Sequence, residues 1–277
     1  MRLRRRDLGA AIAVAALGFG IAATGASAAP AAHGHVIHVV KPGIGANTSK
    51  SNNWFGYSQG TLEQGGTQFH SIGGGWTVPA ARQHAPGHRG SSSTWIGIGG
   101  SCIDAGCMLT DSTLIQTGTE QDVNSAGRAH YSAWWEVLPA PAINIKMRVR
   151  AGDRMHASIV ETPSGSELWK ITLRDVTRGE TFSTTVPYTS TYATAEWIEE
   201  TPLVVGPGAG FAGLPNLTNM PFDHGKVNGA PVKLKRSEKI KLVDGNDNII
   251  GTPSAPDSDR DGFRLCAWAT SCSVPGS

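Results

Sequence analysis

Charge is scarce in this chain: Asp, Glu, Lys and Arg make up 17% of its 277 residues and nearly cancel, leaving a net charge of +2. That balance gives no electrostatic footprint for nucleic acid, so none is expected as a partner. Beyond the first thirty residues no apolar run is long enough to span a bilayer, and no membrane association is expected of the mature chain. There is no G-x-S-x-G elbow, no H-E-x-x-H pair and no P-loop, the local signatures of common serine hydrolases, zinc peptidases and nucleotide-binding enzymes. A serine hydrolase would have to assemble its triad from distant positions. His70, His84, His88, His130, His156 and His224 lie in no recognisable context for that. No amphipathic helix of ten residues and no internal repeat is evident after the N-terminus.

Turn formers, by contrast, are plentiful, with 35 Gly and 16 Pro spread along the chain. That density predicts many short strands joined by turns rather than long helices. From Asn53 onward, segments such as WFGYSQG, STWIGIGG, STLIQTG, HYSAWWEVLP, INIKMRVR and AEWIEE read as strands. INIKMRVR alternates most clearly, with Ile143, Ile145, Met147 and Val149 on one face and Asn144, Lys146, Arg148 and Arg150 on the other. About a dozen such strands over residues 51–277, without a break in composition, predict one large antiparallel β-sandwich or barrel.

The N-terminus carries Arg2, Arg4, Arg5 and Arg6, then an apolar run from Leu8 to Ala23, then Ala26-Ser27-Ala28. Residues 1–28 read as an export signal cleaved after Ala28, so the mature protein is expected to be secreted, soluble and monomeric. Residues 29–50, with His33, His35 and His38, read as a flexible lead-in or a short pro-segment whose positive charge covers an acidic cleft. The only four cysteines suit an oxidising compartment. Local bridges, Cys102 with Cys107 and Cys266 with Cys272, are the simplest of the pairings, although sequence alone does not choose among them. Neither spacing fits a zinc site. The run DSDRDG at 257–262 imitates the start of a calcium loop, but Trp268 stands where the twelfth ligand would be, so a solvated turn is expected. No metal and no organic cofactor is called for.

One stretch gathers acids in an apolar setting: YATAEWIEETP, from Tyr192 to Pro202, holds Glu196, Glu199 and Glu200. Alternation puts Glu196, Ile198 and Glu200 on one face of a strand, and Trp197 with Glu199 on the other, read as outward. In HYSAWWEVLP, Trp134 and Glu136 share a face, and in STLIQTG Leu114 and Gln116 point together. A carboxylate on an aromatic-rich face loses hydration, which raises its pKa and makes it a candidate acid or base. An amide on an apolar strand can present an N–H to a developing oxyanion. The plainer reading is that these are buried, hydrogen-bonded structural groups.

The succession NWFGY, GGWTVP, STWIGIGG, LIQTG, YSAWWE and AEWIEE resembles the glutamic peptidases of the eqolisin family (peptidase family G1). Fungal members show N-W-x-G, W-V-G-I-D-G, I-L-Q-T-G, Y-x-A-W-Y-E-W-Y-P and A-E-x-I-I-E in that order, and the export signal here is of bacterial type. The resemblance implies a two-sheet, concanavalin-like β-sandwich of jelly-roll type and an acid-acting endopeptidase with polypeptide substrates and no cofactor. It carries the catalytic pair onto Gln116 and Glu200, and the cleft lining onto Trp54, Trp95, Trp134 and Glu136, with Glu196 in support. It also implies that Glu200, ionised in acid like an ordinary carboxyl, activates the attacking water. Gly99, Ser132, Val137 and Leu138 depart from the family pattern, and Glu120 stands where an aspartate follows Q-T-G. Two other functions fit the same residues. A non-catalytic module could bind carbohydrate or peptide through exposed Trp54, Trp76, Trp95 and Trp134, and a glycosidase could use Glu136 with Glu200.

Overall fold

Short alternating segments closed by Gly, Pro and Asn turns leave the chain little option but strands. The structure, a computed structural model, describes residues 40–41, 49–104, 109–204 and 210–276. The expected export signal lies outside them. In chain order the strands are β1 (Val40–Lys41), β2 (Ser49–Ser51), β3 (Trp54–Gly60), β4 (Ser71–Thr77), β5 (Ala81–Arg82), β6 (Gly90–Gly99), β7 (Leu114–Val123), β8 (Ala129–Val137), β9 (Ile143–Ile145), β10 (Arg154–Glu161) and β11 (Leu168–Asp175). They continue as β12 (Glu180–Pro187), β13 (Thr194–Glu200), β14 (Leu203–Val204), β15 (Gly210–Phe211), β16 (Asn216–Leu217), β17 (Met220–Val227), β18 (Ala230–Pro231), β19 (Lys239–Val243), β20 (Ile249–Pro253) and β21 (Phe263–Ala267). Among the described residues the one helical piece is a 3-10 turn at Arg236–Glu238, and no helix is long and apolar enough to cross a membrane.

Strand pairing builds two antiparallel layers. The first runs β9-β8-β7-β6-β13-β3-β19. The second runs β12-β11-β10-β4-β17-β21. Strand β20 pairs with both β19 and β21, so the layers are continuous along one border. Ile96, Ile98 and Ile115 of the first layer pack with Ile72, Trp76, Ile159 and Ile171 of the second in the main core. A smaller buried cluster, Trp54, Trp95, Leu114, Trp134, Ile198 and Ile240, belongs wholly to the first layer. By alternation it occupies that layer's other face. The expected β-sandwich is thus the observed fold.

Two expectations need correction. INIKMRVR forms a ladder only over Ile143–Ile145, which pairs with Ala133 to Trp135 of β8, and its remaining residues have no strand partner among the described residues. Perfect alternation makes a strand only where another strand lies alongside. The lead-in is not free throughout either: β1 pairs with β2, and β2 runs parallel to β19. Its boundary at residue 50 falls inside β2. Cys266 and Cys272 form a disulfide as expected. Cys102 is also disulfide-bonded; Cys107, its expected partner, lies outside the described residues.

Candidate active site

Alternation sorts the first layer's side chains, and register then aligns them in rows across it. One row holds Trp54, Glu200, Ser93, Glu120 and Ser132 on β3, β13, β6, β7 and β8. The next holds Ile198, Trp95, Gly118 and Trp134, and the one after it Ser58, Glu196, Gly97, Gln116 and Glu136. The residues expected from sequence, Gln116, Glu200, Trp54, Trp95, Trp134, Glu136 and Glu196, therefore share one face. Gln116 and Glu200 lie on strands flanking β6, with the row of Trp95 between theirs.

Glycine makes room for this arrangement. A Cβ on Gly97 would stand 2.9 Å from the Trp95 ring and 3.0 Å from Leu114 Cδ1. Gly99, a departure from the family pattern, has a φ of +99°, and a Cβ there would meet the Thr113 carbonyl oxygen at 2.0 Å. An aspartate would be strained in that backbone, which glycine adopts freely.

The indole N–H of Trp95 donates to Glu200 Oε2 at 2.9 Å, and Asn53 Nδ2 approaches Glu200 Oε1 at 3.4 Å. Gln116 donates from Nε2 to Glu136 Oε2 at 2.6 Å, while its Oε1 has no partner among the described residues. Burial, with the nearby charge of Glu136, pushes the Glu200 carboxyl up to about 8 against hydrogen bonds from Trp95, Trp54 and Asn53 that pull the other way. The expectation of an ordinary carboxyl, ionised in acid, is therefore overturned: the anion is poorly solvated here. Burial likewise raises Glu196 well above the usual carboxylate range, against hydrogen bonds from Thr194 and Ser58.

Glu199 does not look outward. It is fully buried on the main-core face beside Trp197 and accepts from the Thr94 hydroxyl at 2.5 Å and the Gln121 amide at 3.2 Å. Burial pushes it up to about 7. Nor are the four tryptophans exposed: Trp54, Trp76, Trp95 and Trp134 show at most 3% of their surface, and Trp76 belongs to the main core. The binding-module reading loses its platform. Sequence reasoning missed two contributors, Asn53 and Ser93. Asn53 sits within the quoted NWFGY motif, and Ser93 opens STWIGIGG two residues before Trp95, so alternation could have placed it on the face of Trp95. Elsewhere, DSDRDG brings the carboxylates of Asp257, Asp259 and Asp261 within 4.8 Å of one another. Asp257 accepts N–H groups of Arg260 and Gly262, bonds that close its own turn.

The sequence profile of the Peptidase A4 family matches residues 52–260. A search of curated protein sequences finds no significant match. Among solved structures, scytalido-glutamic peptidase with a peptide-based transition-state analogue is similar at 17% identity and a TM-score of 0.60, covering 78% of this chain and 98% of that one. SCP-B, an eqolisin-family peptidase in complex with the tripeptide Ala-Ile-His, is similar at 16% identity and a TM-score of 0.56, with the same coverage. Likeness at that identity shows the shared fold, whereas the profile spans well over half of the chain. By that match the chain belongs to the peptidase A4 family, the eqolisin glutamic peptidases.

Proposed function

We propose that this glutamic peptidase is a secreted endopeptidase in which Glu200 is the general base and acid and Gln116 stabilises the oxyanion. The observation that carries this is the bonding of Gln116. Glu136 accepts one hydrogen of its amide, which orients the group and leaves the second N–H, with the unpartnered Oε1, for a reacting species. In the first step water attacks the scissile carbonyl carbon and gives its proton to the Glu200 carboxylate. The second amide N–H of Gln116 holds the resulting oxyanion, and Oε1 accepts the water's remaining hydrogen. As the intermediate collapses, the C–N bond breaks and Glu200 passes its proton to the leaving amine. Trp54, Trp95 and Trp134 provide the apolar wall that excludes bulk water.

Desolvation is the main cause of the raised Glu200 pKa, and the hydrogen bonds of Trp95, Trp54 and Asn53 favour the ionised form that the base requires. The Cys266–Cys272 bridge supports an oxidising, extracellular setting, and the mature N-terminus in culture medium is expected at Ala29. Digestion of an unfolded protein across pH 2–7 tests the chemistry. Glu200→Gln is expected to cost roughly 10²–10⁴-fold in turnover, and Gln116→Ala roughly 10²–10³-fold. Unchanged cleavage by both variants would remove the assignment.

A further inference from the structure

Two histidines that the catalytic reading leaves unused, His84 and His88, line a cleft of about 390 Å³ together with Arg89. Neither Gln116, Glu136 nor Glu200 takes part in it, but it starts where the catalytic strand ends. Thr201, one residue past β13, and Asn52, one residue before Asn53, both lie on its wall. Most of the remaining wall is apolar, from Phe211, Leu214, Val243, Ile250 and Trp268. Phe211 and Trp268 each show 38% of their surface, unlike the buried tryptophans around Glu200. Hydrogen bonds hold these walls in place. Trp268 donates its backbone N–H to the Ile250 carbonyl at 2.6 Å and its indole N–H to the Pro215 carbonyl at 3.2 Å, which fixes the ring at both ends. His84 stacks on that ring with centroids 3.5 Å apart and planes 11° from parallel. Its Nδ1 donates to Asn216 Oδ1 at 3.0 Å, because the Asn216 amide nitrogen is turned to the Gln83 carbonyl. The Ser91 N–H donates to the Gly213 carbonyl, tying the strand that follows Arg89 to residues 211–214. The one acid on the wall, Asp244, accepts N–H groups of Asn246 and Asn248 within its own turn. No carboxylate pairs with His88 or Arg89 among the described residues.

We propose that this cleft binds the C-terminal residue of a peptide, with its apolar or aromatic side chain against Trp268 and Phe211 and its free carboxylate on Arg89. A concave, mostly apolar site with a few polar groups is the usual form of a small-ligand pocket, and its volume lies within the usual range of about 300–1,000 Å³. A guanidinium receives a carboxylate through two parallel N–H donors, and the His88 ring adds a further donor. Apolar burial supplies the affinity, and the charge selects the ligand's chain end. A peptide capped as its amide offers the same apolar surface without the charge. Walls fixed in advance keep the ordering cost of binding low.

Calorimetric titration of the full chain with N-acetyl-Ala-Phe and with its C-terminal amide tests this. The wild type is expected to bind the acid about tenfold or more tightly than the amide, and Arg89→Gln to bring the two within about twofold. Arg89 is exposed, so its variant is expected to melt with the wild type. Phe211→Ala is expected to weaken both ligands by a similar factor, because it removes apolar wall and leaves the charge. No binding of either ligand, equal binding of the two, or a preference that Arg89→Gln leaves intact overturns the site. A preference for the acid that survives both Glu200→Gln and Gln116→Ala supports it. One that disappears with either of them overturns it, since the ligand then sits in the catalytic cleft.

Discussion

Glu136 does two things at once. It accepts an amide hydrogen of Gln116, and its charge raises the pKa of Glu200. Two carboxyls that feel each other resist ionising together, so each proton held on one eases ionisation of the other. Glu136→Gln removes the repulsion and keeps the side-chain shape. The acid limb of the kcat/KM profile is therefore expected at lower pH in this variant than in the wild type. A limb that stays in place or moves up would show that the two groups do not communicate. Turnover should fall as well, because the Gln116 amide exchanges a charged carboxylate acceptor for the weaker amide oxygen of glutamine.

On strand β13 two successive glutamates serve different layers. Glu200 faces the tryptophan-lined side, and Glu199 the main core with Thr94 and Gln121. Among the described residues no cation partners Glu199, and burial pushes its carboxyl up to about 7. A raised folded-state carboxyl pKa means that the stability it brings is present below its unfolded value near 4.5 and is lost as pH rises through 7. Each pH unit in that window removes about 1.4 kcal/mol. Glu199→Gln abolishes the titration. Its melting temperature is expected to fall less than that of the wild type between pH 5 and pH 8, a comparison made by scanning calorimetry at fixed ionic strength. An equal fall in both proteins would mean that Glu199 does not titrate in this range. Parity assigned Glu199 to the opposite face correctly, but it could not say that a second layer covers that face.

Across the whole molecule, buried acids pull in opposite directions. Glu196, Glu199 and Glu200 are raised, so all three favour the folded state below about pH 4.5 and weaken it above. For Glu161 burial raises the pKa, but N–H groups of Gly165 and Glu167, with His70 and Tyr192, outweigh it and hold the carboxyl down to about 2. The stabilisation from Glu161 is present above 4.5 and lost as pH falls through 2. Stability is therefore expected to peak in weak acid and to decline on both sides, with Glu161→Gln flattening the acid side alone. A wild-type maximum at pH 7 or above would contradict this account.

Much of this was determined by the sequence itself. Gly and Pro density with period-two alternation sets an all-β chain, and alternation alone puts Glu196 with Glu200 and Trp134 with Glu136, because side-chain direction on a strand is local. The ordered motifs did the rest in pointing to Gln116 and Glu200. Tertiary structure alone decided what lies against each face. It buried Glu199, took most of INIKMRVR out of the sheet, raised Glu200 away from an ordinary carboxyl, and set Ser93 beside Glu200 and Glu120. Burial and cross-strand register depend on which distant strand arrives as neighbour, and no local pattern in the chain encodes that partner.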